Sequence, residues 1–192
     1  MGILKFLIAV VLASFLELST PLLMPVADAH AATASLQEVK FAFIENFTKY
    51  VTWPPLTFES SSSEFRACVV GNGTVSKAFE IHAKSIVNTH SIRSIRITSA
   101  DEAPQCHFIY FGDSADGGLT KRVLKAVEGK PVLTIGEVPG FITKGGIIKF
   151  KQVEKKLAFE INPAAARQSG LEISSRLLKL ATIVSERTES DK

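Results

Sequence analysis

Between residues 35 and 51 the apolar positions Leu36, Val39, Phe43, Phe47 and Tyr50 recur at spacings of three and four. That period lays them along one side of an α-helix. Ser35 stands where an N-cap belongs, Glu38 follows three residues on as in a capping box, and Pro54-Pro55 stop the helix just after Trp53. The polar run FESSSSEF (58–65) reads as a mobile loop. FRACVVGNG (65–73) predicts a buried strand ending in a glycine turn, TVSKAFEIHAKS (74–85) a short helix capped by Thr74, and SIRSIRITS (91–99) a second strand with Ile95 and Ile97 on one face. CHFIYFG (106–112) is apolar throughout, as a central strand covered on both faces would be.

Beyond it, GLTKRVLKAVEG (118–129) predicts an amphipathic helix closed by Gly129, and KPVLTIG (130–136) a fourth short strand. GGIIKFKQVEKKLAFEIN (145–162) reads as two strands around a charged connection, a hairpin. NPAAARQSG (162–170) has Asn162 as cap, Pro163 at the first helical position and Gly170 at the end. LEISSRLLKLATIV (171–184) predicts one last helix with Ile173, Leu177, Leu180, Ala181 and Val184 on a single face. Strands alternating with helices, then a hairpin and closing helices, imply an α/β fold: a three-layer domain with a mixed β-sheet flanked by helices.

The stretch PVLTIGEVPGFITKGGIIKF (131–150) carries glycines beside apolar strands, which serve either to bind phosphate or to turn the chain. A phosphate loop runs straight into a helix N-terminus, with a Lys-Ser/Thr pair. Here Gly136 ends a strand, EVPG supplies a turn, and Gly145-Gly146 precede another strand, so the glycines read as structural. VVGNGT (69–74) does join a strand to a helix, but Ser76 stands where a dinucleotide fingerprint places its third glycine.

The first residues change the compartment. Lys5, the apolar run Phe6 to Phe15 and the small residues Ala29 and Ala31 form a secretory signal, residues 1–31, leaving an exported domain over 32–188. The apolar run is shorter than the roughly 20 residues that cross a bilayer. The domain is expected to be exported. The formal charge of +3, from 22 basic and 19 acidic residues, is scattered rather than gathered, which excludes nucleic acid as a partner. Cys68 and Cys106 both lie in the exported part, where pairing is favoured over two free thiols. A bond between them closes a loop of about 38 residues and is worth roughly 4 kcal/mol in the chain-entropy model.

Candidate chemistry is sparse. No G-x-S-x-G elbow is present. His82, His90 and His107 lack the spacing that puts two imidazoles on one metal, and Ser174-Ser175-Arg176 reads as helix packing. Neither a cofactor nor a metal is expected, and the chain reads as no enzyme. The sequons at Asn46 and Asn72 read as accidental. Interaction surfaces remain: Trp53 at the corner before Pro54-Pro55 either seals the core or anchors a partner, Phe141 in PGFITKGG shares that ambiguity, and Arg176 and Lys179 stand three apart on the last helix.

Taken in order, VKFAFIENFTKYVTWP, CVVGN, CHFIYFG, PVLTIGEVPGFITKGGIIKF and LAFEINPAAARQSGLEISSRLLKLA resemble the YfiR family of bacterial periplasmic proteins. The resemblance covers nearly all of the exported part. It implies a repressor that binds the sensor domain of an inner-membrane diguanylate cyclase, or a similar receptor, and lowers cyclic di-GMP signalling and biofilm formation. It also implies an outer-membrane lipoprotein that sequesters the repressor, and a homodimer. By similarity Cys68 and Cys106 match the family's cysteine pair; a further pair carried by some members is missing here. Trp53, Phe141, Arg176 and Lys179 are the expected partner-binding residues. The alternative is a periplasmic small-molecule-binding module serving a transporter or receptor, with its pocket between sheet and helices.

Overall fold

The computed structural model describes residues 35–60, 62–71, 86–87, 90–154 and 156–184. The expected signal segment, 1–31, and the helix expected over 74–85, with Thr74, His82 and the Asn72 sequon, lie outside the described residues. Helix α1, Leu36–Lys49, opens on the expected capping box: the Ser35 hydroxyl accepts from the Glu38 amide at 3.3 Å, and the Ser35 amide donates to Glu38 Oε2 at 2.6 Å. Strands follow as β1 Val51–Thr52, β2 Phe65–Val70, β3 Ile86–Val87, β4 His90–Arg96 and β5 Phe108–Phe111. Helix α2, Gly117–Ala126, is capped by Asp116, whose carboxylate accepts from the Leu119 amide at 2.7 Å. Strand β6 is Leu133–Gly136, and the hairpin β7 Ile148–Val153 with β8 Lys156–Ile161 is the one the charged connection predicts. Helix α3, Pro163–Gln168, begins at Asn162 as expected, with Oδ1 accepting from the Ala165 amide. The chain continues through β9 Glu172–Ile173, α4 Ser175–Leu178 and β10 Thr182–Ile183.

These strands build a mixed eight-stranded sheet in the order β10-β8-β7-β6-β5-β2-β4-β3, with β1 and β9 as a separate antiparallel pair. The neighbours β7-β6-β5-β2-β4 run parallel; β7 with β8 and β3 with β4 are antiparallel. The apolar CHFIYFG strand is interior, as its composition requires. Alternation along the strands then sorts the core into two halves. Ala67, Val69, Phe108, Tyr110, Leu133 and Ile135 pack with Phe41, Ile44 and Phe47 of α1. Cys68, Val70, Ile109 and Phe111 pack with Val123 and Leu124 of α2. Helices flank both faces of a mixed sheet.

Two expectations are corrected. The buried face of α1 is Lys40, Phe41, Ile44, Phe47 and Thr48, so of the expected stripe only Phe47 lies on the core face, while Leu36, Val39, Phe43 and Tyr50 form a shoulder of the helix. The last helix is one short turn and not a rod over 171–184. Glu172–Ile173 pair with Val51–Thr52, the Ser174 hydroxyl caps α4 through the Arg176 amide, and Thr182–Ile183 add to β8 in parallel. β-Branched residues at 173 and 182–184 suit these pairings better than a helix interior.

The glycine stretch turns the chain and makes room. Gly140 and Gly145 take positive φ, +67° and +90°. A Cβ on Gly136 would lie 2.6 Å from the Phe141 ring, and one on Gly146 closer still. Both glycines exist to let that ring into the core.

Candidate functional site

Phe141 is fully buried, between Gly136 and Gly146 and against Phe111 at 5.3 Å between ring centroids. Trp53 is 7% exposed; its Nε1 donates to the His107 carbonyl at 3.3 Å and its ring meets Phe65 edge-on. Both expected anchors are core residues, because each has a bed built for it. They also belong to opposite halves of the core. One surface cannot therefore hold Trp53, Phe141 and the last helix together.

Arg176 and Lys179 are exposed, and beside them lies the surface that the sequence had as a helix core. The β1–β9 pairing and a Ser174 amide bond to the Tyr50 carbonyl at 2.9 Å tie α4 to the C-terminal end of α1. Leu177 and Leu180 are thereby set across from the α1 shoulder. The result is a groove of about 470 Å³ walled by Val39, Phe43, Phe47 and Tyr50 on one side and Leu177 and Leu180 on the other. Its floor is aromatic: Phe47 and Phe159 lie 4.8 Å apart, Phe43 and Phe159 6.0 Å. Of the residues around it, Leu180 is 74% exposed and Tyr50 39%. Large apolar side chains gathered at a concave surface make the groove the candidate site. Sequence reasoning missed it because one stripe was taken for the buried one; the available signal was the width of the apolar arc on α1, where Phe41 and Ile44 stand beside Val39 and Phe43.

A polar network in the core was also missed. Lys40 Nζ binds Glu137 Oε2 at 2.6 Å, and the Tyr110 hydroxyl donates to the other oxygen of Glu137. Burial, then the hydrogen bond and charge of Glu137, raise the Tyr110 pKa, so the phenol stays neutral. The three residues come from α1, β5 and the end of β6, elements far apart in sequence.

His107 is a core residue. Its Nδ1 accepts from the Arg66 amide at 3.0 Å, and its ring packs on Phe58 and Phe65. Burial first, then the Arg66 charge, push its pKa down to about 4. Cys68 and Cys106 form the expected disulfide, with Cα atoms 5.9 Å apart, and both are buried in the α2 half of the core.

Against this geometry, residues 37–182 match the YfiR/HmsC-like family model, three quarters of the chain. The chain belongs to the YfiR/HmsC-like family. A search of curated proteins gave no match. The YfiR/HmsC-like family is periplasmic and is associated with regulation of a membrane diguanylate cyclase. The match begins in α1 and ends in β10, so the helix, the groove and the disulfide all fall within the part the family shares. Among the described residues, no helix is long and apolar enough to cross a membrane.

Proposed function

We propose that this chain is exported to the periplasm, binds the sensor domain of an inner-membrane diguanylate cyclase or a similar receptor, and holds it inactive, lowering cyclic di-GMP. The observation that carries this reading is the apolar groove beside α1, exposed on a member of a regulatory family. Leu180 and Tyr50 at its rim are the contact anchors, and Arg176 on α4 and Lys179 at its C-cap supply the flanking charge. Trp53 and Phe141 act only by holding the core that carries these elements. No catalytic step is part of the proposal. A regulator of this kind works by binding one state of its receptor more tightly than the other. Sequestration by an outer-membrane lipoprotein and a homodimeric state are carried from the family resemblance as parts of the same proposal.

The test is cellular cyclic di-GMP with and without the gene, complemented by the wild type or by Leu180→Glu at matched periplasmic abundance. Deletion raises cyclic di-GMP, the wild type reverses the rise, and Leu180→Glu does not. No rise on deletion, with the protein present and exported in the parent, removes the cyclase from the reading.

A second reading, a small-molecule-binding module, is favoured by a separate cavity of about 540 Å³ between α2, α3 and the turn at Ile142–Lys144. Lys121, Lys125 and Lys144 line it with Thr134 and Ser169; Glu128 also lines it and pairs with Lys125 at 2.7 Å, which leaves Lys121 and Lys144 to suit an anionic ligand. Thermal shift with and without small carboxylates and phosphates decides between an occupied and an idle cavity.

A further inference from the structure

We propose that a smaller cavity, between the start of α1 and the end of β6, binds a small carboxylate whose oxygens meet Lys40 and Lys149 and whose carbon body lies against Leu36, Phe150 and Leu157. The cavity measures about 290 Å³ and shares no lining residue with the groove or with the cavity at Lys121 and Lys144. It lies beyond the carboxyl end of β6, where Glu137 directly follows Gly136, and open α/β sheets take their ligands at strand ends of this kind. The Lys40–Glu137 pair forms part of its wall and leaves donors unused. The Lys40 side chain is 7% exposed, and an ammonium carries three N–H donors. Glu137 Oε2 takes one, and no other acceptor among the described residues meets Lys40 Nζ. A buried charge is costly unless its hydrogens are satisfied, and Lys40 lines the cavity, so its unused donors are offered there.

Charge sets the sign of the ligand. Glu137 is matched by Lys40, and its other oxygen accepts from the neutral Tyr110 hydroxyl. Glu160, cross-strand from Lys149, pairs with Lys151 at 3.2 Å. Lys149 is left without a carboxylate among the described residues, half-buried on β7 beside Gly136. One cation in excess, next to a buried ammonium with open donors, suits a monoanion; a cationic ligand would find every carboxylate at the cavity already matched. The apolar wall sets the rest. Leu36, Phe150 and Leu157 stay wet against an inorganic ion and are covered by the chain of an acid of a few carbons, which releases the water they order. The site stands apart from the regulatory reading, since nothing in it needs a receptor.

The experiment titrates the chain, its native disulfide intact, with sodium butyrate while backbone amide resonances are followed and sodium chloride holds the ionic strength constant. Butyramide, of the same shape without the charge, is titrated in parallel. Saturable shifts at Glu137, Lys149 and Gln152 with butyrate, and none with butyramide, are the expected result. Lys149→Met weakens butyrate binding about tenfold, as loss of one charge-assisted hydrogen bond does, while Lys149→Arg retains it and both keep the far-ultraviolet circular dichroism of the wild type. Lys40→Met strands Glu137 as an unpaired buried charge and destabilises the fold, so Lys149 carries the test. Lys121→Met leaves the affinity unchanged. The absence of saturable shifts, equal binding of butyramide, or a Lys149→Met variant that binds butyrate as the wild type does overturns the site. Shifts confined to Lys121, Thr143 and Gln168 overturn it as well, and assign the carboxylate to the cavity of the second reading. None of these touches the regulatory reading, which cellular cyclic di-GMP reports on by itself.

Discussion

At Gly146 the absence of a side chain is what admits Phe141: a Cβ there would enter the ring, and Gly136 faces the same ring from the other side. Gly146→Ala is expected to cost about 1–3 kcal/mol through overpacking, read as a lower urea midpoint with unchanged slope. In a Phe141→Ala background the same glycine change costs less than it does alone if the clash is the cause, because the two changes then couple. His107 carries the other prediction at this scale. Its folded-state pKa is pushed from 6.5 to about 4 by burial and by Arg66, so the unfolded chain binds a proton that the native one refuses. The contribution of a neutral His107 is fully present above pH 6.5, is lost as pH falls from there toward 4, and falls no further below that. A urea midpoint that declines across this window, and less steeply in His107→Gln, is the expected outcome. A slope unchanged by the substitution assigns the decline to other groups. Neither property was readable from composition: a glycine pair beside a strand serves several ends, and a histidine pKa depends on what burial places around it.

Among the elements, the disulfide and the C-terminal segment depart most from local rules. Cys68 lies on β2 and Cys106 just before β5, adjacent parallel strands, so the bond closes a 38-residue loop between neighbours already held by the sheet. Replacing both cysteines by serine is expected to lower stability by roughly 4 kcal/mol in the chain-entropy model. Thermal unfolding with and without reductant checks it, and because both sulfurs are buried, reduction should proceed only as the domain opens. A disulfide that reduces quickly in the folded protein would instead make the bond a candidate switch. The segment 171–184 shows the limit of periodicity. Its apolar spacing fits a helix, yet two strand pairings claim its ends and leave α4 as one turn. Strand pairing is a long-range event, and a helical period cannot register it. Helix α1 held up better because its cap is a local signal, although it ends at Lys49, ahead of the expected stop at Pro54-Pro55, where β1 takes the chain into its pairing with β9.

For the whole molecule, the proposed function rests on a surface that no single segment contains. The groove needs the shoulder of α1, Phe159 of β8 and the leucines around α4 together, and the strap of β1 with β9 brings them there. Leu180→Glu is the decisive substitution at this scale: unfolding free energy within about 0.5 kcal/mol of wild type, as for a surface change, with loss of control over cyclic di-GMP. Retained control with the groove so altered moves the contact elsewhere. By itself the sequence determined the class of the fold, the caps and turns, the central strand, the cysteine pair and the family resemblance. These follow from local propensity, period-two and period-3.6 patterning, and motifs read in order. Only the tertiary structure decided which of two apolar faces of α1 is buried, that Trp53 and Phe141 face inward, that Lys40 meets Glu137 and Tyr110, and where the groove lies. The physical reason is that burial belongs to pairs of elements: an apolar stripe states that a face avoids water, and only the packing of distant segments states which face is covered.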